Sequence, residues 1–206
     1  MRNTLTSARK AQDADTQASS LLPRLFDGFD EEQRITVLHI GPALPETVEF
    51  FSGFRCRLYF ADLFEELPLA IPEDVEASPD QYLETHFRDA LALPPDARLD
   101  ACLFWDLFNF LDTTAVGALM NALRPHMHKH SRGHGFVMHN NRAPQTRHLY
   151  GIEDSATLRQ RRRDQALAGY APLGQGQLKT ALSCFTVERS LLLPDKRLEL
   201  LLQARL

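Results

Sequence analysis

The stretch Ile35-Thr-Val-Leu-His-Ile-Gly-Pro-Ala-Leu-Pro-Glu-Thr-Val-Glu-Phe-Phe51 decides the fold. A β-branched apolar run leads into a Gly-Pro turn and then a short amphipathic segment. That is how the first strand, turn and helix of a nucleotide-binding α/β domain read. Residues 35–40 are nearly continuous in apolar character, as a central parallel strand is. Pro45 suits the first position of the next helix, where its missing N–H costs nothing, and Val48 and Phe51 are expected on one face of that helix. Only Gly41 is glycine among the three alternate positions of a glycine-rich loop; the other two are Ala43 and Pro45.

Outward from this stretch, the pattern of alternating strands and helices continues. Cys56 to Asp62 reads as a second strand ending on an acid, and residues 63–78, rich in prolines and acids, as loop. Pro79 to Phe87 has apolar residues at helical spacing, and a short strand is expected near 88–92. Leu99 to Asp106 is another buried strand ending on an acid. Asp112 then caps a helix whose face is Val116, Leu119, Met120 and Leu123. Gly135 to His139 forms a fifth strand, and residues 153–168 and 176–183 are expected to be helical. Cys184–Leu193 and Arg197–Arg205 are joined by only Pro194-Asp195-Lys196, too short for a crossover, so they form an antiparallel hairpin. Residues 1–20 are polar and read as a flexible arm, with Leu21 to Phe26 a short helix leading into a single domain over 21–206.

Composition sets the outer limits. The chain has 206 residues, 44% hydrophobic and 24% charged, ordinary for a soluble globular protein. With 23 basic against 27 acidic residues, the net charge of -4 argues against nucleic-acid binding as its purpose. Cys56, Cys102 and Cys184 each lie in apolar sequence and read as buried free thiols. No apolar run approaches the roughly 20 residues that span a bilayer. The N-terminus lacks the apolar core of a secretory signal, and a cytoplasmic location is expected.

A mostly parallel sheet that finishes in an antiparallel hairpin resembles the class I S-adenosylmethionine-dependent methyltransferase fold, a Rossmann-like, seven-stranded α/β architecture. The likeness runs from about residue 34 onward and rests on Val37 to Phe51, Asp62, Leu99 to Leu111 and the C-terminal hairpin. In open α/β sheets, ligands bind outside the carboxyl ends of the strands. That position gathers Gly41, Pro42 and Ala43 of the turn, Asp62, Trp105 and Asp106. The resemblance implies S-adenosylmethionine as cofactor, with Asp62 accepting hydrogen bonds from the ribose hydroxyls. His39 stands where the family has an acid that helps hold the methionine amino group. Asp89 resembles an acid that meets adenine. Asn109 and His139 are candidates for a substrate pocket. The family's Asn/Asp-Pro-Pro-Tyr signature of amino-group methylases is absent, and no catalytic residue is identifiable. The implied activity is methyl transfer to a small molecule or protein side chain. The alternative is a non-catalytic relative serving as a binding or scaffold module for a protein partner, to which the missing glycines point.

Two further clusters invite simpler readings. Among His126, His128, His130 and His134 a helix lets i and i+4 converge but points i+2 away, and the cluster reads as a basic helix end, so no metal site is expected. Arg159, Arg161, Arg162 and Arg163 read as a solvated helix face balanced by neighbouring acids.

Overall fold

The computed structural model describes residues 15–27, 29, 32–74, 76–140, 144–145, 147–164 and 166–206. The stretch around Gly41 forms strand β2 (Ile35–Ile40), the turn and helix α2 (Pro45–Ser52), with Pro45 in the first helical turn. Strand β3 (Cys56–Ala61) pairs parallel with β2, and β4 (Ala101–Trp105) pairs parallel on the other side of β2. Strand β5 (Arg132–Met138) continues the parallel set. The hairpin β8 (Phe185–Leu192) and β9 (Arg197–Ala204) closes it, with β9 antiparallel to β5. The order is β3-β2-β4-β5-β9-β8, so the strand order reverses between β2 and β4.

Alternation along the strands divides the core in two. Leu38, Ile40, Cys102 and Phe104 face helices α3 (Pro79–Leu91), α4 (Thr113–Leu123) and α5 (Gln175–Ala181). Ser78 and Gln81 close a capping box at the start of α3, and the Asp112 carboxylate accepts the Ala115 N–H at 2.8 Å to cap α4. Val37, Ala101, Leu103 and Trp105 face the opposite side, where α1 (Leu22–Phe26) and α2 lie. Each fully buried leucine or phenylalanine contributes about 1.5–3 kcal/mol.

On that second side the sequence expectation fails, and a small sheet completes the layer. Residues 153–168 are not helical. They belong to a hairpin of β6 (His148–Asp154) and β7 (Thr157–Arg162), and β7 also pairs with β1 (Asp15–Ala18), a segment expected within the flexible arm. Tyr150, Ile152 and Leu158 press from this sheet onto the core. The expected strand at 88–92 is the end of α3, whose buried Leu83, Phe87 and Leu91 keep helical spacing; the main sheet has six strands among the described residues, not seven. Val48, expected beside Phe51 in the core, is 48% exposed.

Candidate functional site

Strands β2, β3 and β4 each lead into a residue at one edge of the sheet. Gly41 follows β2 with φ +127°, a conformation open to glycine, and its N–H donates to the Ala61 carbonyl at 2.8 Å. A Cβ built on Gly41 would find its nearest neighbour, His39 Nε2, at 3.6 Å, so the turn is not crowded by the protein itself. Pro42 is half-buried, and Ala43 and Pro45 face solvent.

Asp62 ends β3 half-buried, its Oδ1 accepting the Phe64 N–H at 3.3 Å. Burial pushes its carboxyl above the ordinary value, and the nearby Arg163 charge pulls the other way. Asp106, directly after β4, is buried. Arg163, following β7, joins the two acids electrostatically: burial lowers its guanidinium below the ordinary value, while Asp106 and then Asp62 oppose that fall. Its Cζ sits 4.3 Å above the ring of fully buried Phe64, and its Nε donates to the His148 carbonyl at 3.2 Å.

Across the point where strand order reverses, two aromatic side chains are bonded. Trp105 Nε1 donates to His39 Nε2 at 3.2 Å, and both residues are about 1% exposed. Burial drives His39 down to about 3, so it is neutral at any ordinary pH and cannot supply the charge of a carboxylate. Trp105 adopts φ +51°, at a register shift between β4 and β5, and its indole stacks on Tyr150. Trp105 is therefore a core residue of the second side.

The remaining candidates lie apart. Asn109 is buried, and its amide is consumed by the backbone: Nδ2 donates to the Asp106 and Phe136 carbonyls, while Oδ1 accepts the Met138 N–H at 2.8 Å. It locks the turn after β4 to β5. His139 is exposed and bonds Gln175 through Nδ1 at 3.2 Å. Asp89 is exposed on α3, not on a loop after a strand. Burial raises the thiols, Cys56 and Cys184 to about 11. The four histidines do not converge: His134 bonds Glu199, His128 bonds Asp100 and His126 bonds the Ala97 carbonyl. Among the described residues no group of three metal-ligating side chains forms a metal site, and no helix is long and apolar enough to cross a membrane.

The sequence reading missed the role of the arginine run. Arg159 bonds Glu153, and Arg161 clasps Glu46 at 3.0 and 2.9 Å in the first turn of α2. Burial pushes the Glu46 carboxyl up, but the bonds and charge of Arg161 outweigh it and hold the group low. A signal was present, since Leu158 and Gln160 are buried between arginines with a strand period of two.

No family model matches this sequence, and no curated protein matches it. Several solved structures are similar to it. A 1,6-didemethyltoxoflavin-N1-methyltransferase from Burkholderia thailandensis, with bound S-adenosylhomocysteine, shares 14% identity at TM-score 0.49 over 89% of this chain and 76% of that one. The glycopeptide N-methyltransferase MtfA, with S-adenosylmethionine, shares 14% identity at TM-score 0.46 over 96% and 99%. For the mitomycin 7-O-methyltransferase MmcR the values are 14% and 0.48 over 89% of this chain, which spans about half, 53%, of that enzyme. Identity this low assigns no residue its role.

Proposed function

We propose that this chain is a methyltransferase-like protein that takes an S-adenosyl ligand at the carboxyl ends of β2, β3 and β4. The supporting observation is the convergence there of the uncrowded Gly41 turn with the acids Asp62 and Asp106. These residues fit an adenosine moiety: Gly41 permits close backbone approach, and Asp62 offers a carboxylate to ribose hydroxyls. They fit the methionine end less well, because His39 is neutral, buried and already bonded to Trp105. The bound ligand would supply an already activated methyl group. The protein's part would be to orient the ligand and exclude water, which requires no dedicated nucleophile. The acceptor in this reading is a small molecule or a protein side chain.

A second reading, a non-catalytic binding module, is favoured by one observation. Arg163 lies over Phe64 and interacts electrostatically with both acids, so the protein's own cation acts on the groups a ligand would use. Calorimetry with S-adenosylmethionine and S-adenosylhomocysteine on the intact chain decides between them. Saturable binding that is weakened in Asp62→Ala supports the first reading. No heat from either ligand in a folded protein rejects it.

A further inference from the structure

A separate hollow opens on the helix side of the C-terminal hairpin. Helix α5 has only seven residues and buries Leu178, and beside it the hollow opens onto Val137, Leu198 and Leu200, each no more than 7% exposed. Val137 lies opposite Leu198 across β5 and β9, and Leu200 lies opposite Ser190 across β9 and β8. Opposed residues share a face, so Val137, Leu198 and Leu200 together with Val187 form an aliphatic floor beneath α5, with Ser190 on the same face. The hollow has a volume of about 290 Å³.

Its polar side chains are few. Gln175 and Lys179 stand one helical turn apart on α5, with Ser190 on the strand opposite. Gln175 is oriented by its bond to His139, which ties the residue after β5 to this mouth. Lys179 is exposed, and among the described residues no carboxylate lies within ion-pair distance of its ammonium. An aliphatic floor with a few polar groups at one end is the usual build of a small-molecule site. The volume of the hollow sits at the small end of ordinary ligand pockets, which run from about 300 to 1,000 Å³.

We propose that this hollow binds a medium-chain aliphatic carboxylate, its chain along Val137, Val187, Leu198 and Leu200 and its carboxylate at Lys179. The chain removes apolar wall from water, and the anion completes the one rim cation. The site is independent of the carboxyl edge of β2–β4.

Octanoate is the probe, with octanol as its uncharged counterpart, in calorimetric titrations of the full chain. The expected result is saturable one-to-one binding of octanoate and weaker binding of octanol. Lys179→Glu, an exposed change, should weaken octanoate about fivefold, the upper range for a solvent-exposed ion pair. Val187→Trp, at a half-buried position, should abolish binding by filling the hollow while leaving the melting temperature near that of the parent. Three results overturn the proposal: no saturation up to about 10 mM octanoate, equal affinity for octanol, or affinity unchanged in both variants. Self-association of the chain that Val187→Trp disrupts, with no octanoate binding, also overturns it and assigns the face to a second copy.

Discussion

Replacing Glu199 by alanine removes a carboxylate with four polar partners. Its carboxylate is fully buried and faces fully buried His134, whose Nε2 lies 2.9 Å away. It also accepts the Ser19 hydroxyl and the backbone N–H groups of Ser20 and Leu21, at 3.3 and 3.1 Å for the latter two. Burial alone would raise this carboxyl, but the bond and charge of His134, with Ser19 and Leu21, hold it down at about 2. Alanine leaves an imidazole, a hydroxyl and a buried amide without their acceptor, and breaking a buried pair from one side costs about 3–5 kcal/mol. At about 2–4 °C per kcal/mol for a chain of this size, the melting temperature should fall by about 6–20 °C. Glu199→Gln, which keeps an acceptor for Ser19 and Leu21, should lose less. The folded value lies below the ordinary 4.5, so this stabilisation is complete above that value and vanishes as pH falls toward about 2. Thermal and urea unfolding of parent and variant across this window is the assay. A loss under about 1 kcal/mol, or parallel pH profiles for parent and variant, refutes the reasoning.

Other outcomes are equally specific. Asp62→Ala should weaken S-adenosylhomocysteine binding by about 1–3 kcal/mol in calorimetry, the range for a charged hydrogen-bond acceptor. Arg163→Gln removes the resident cation beside Asp62 and Asp106 and should tighten the same ligand; unchanged or weaker affinity counts against competition by Arg163. Gly151→Ala builds a Cβ into the Glu46 side chain; urea unfolding should show about 1–3 kcal/mol of destabilisation that disappears in the Glu46→Ala background. His39→Glu puts a carboxylate between Phe60 and Trp105 at a site about 1% exposed, and chemical unfolding should register several kcal/mol lost.

The sequence was legible where the signal is local. Continuous apolar character marked β2, Pro45 marked the start of α2, Asp112 capped α4, and the three-residue link at Pro194 required the final hairpin. It was illegible where pairing is distant. Residues 157–162 are rich in leucine, glutamine and arginine, good helix formers, and only pairing with β1 and β6 holds them extended. Arg163 therefore read as a solvated charge when the fold lays it over Phe64, within electrostatic reach of two acids. Strand-end acids and the Gly41 turn were recoverable from position alone. The His39–Trp105 bond was not, because it joins residues 66 apart through a register that no single-strand pattern specifies.

The pairing of β1 with β7 and of Ser19 with Glu199 also orders events in time. Residues 15–18 are among the first described residues to leave a ribosome, yet their strand partner is 157–160 and their buried anchor is 199. For most of synthesis this segment has no strand partner, and its anchor at Glu199 emerges only with the final hairpin. Contacts of such sequence separation slow folding, because loop closure precedes any gain from them. Until β1 pairs with it, β7 presents an open strand edge, a surface on which nascent chains can pair with one another. Residues 15–21 thus complete their contacts only when the last strands are in place.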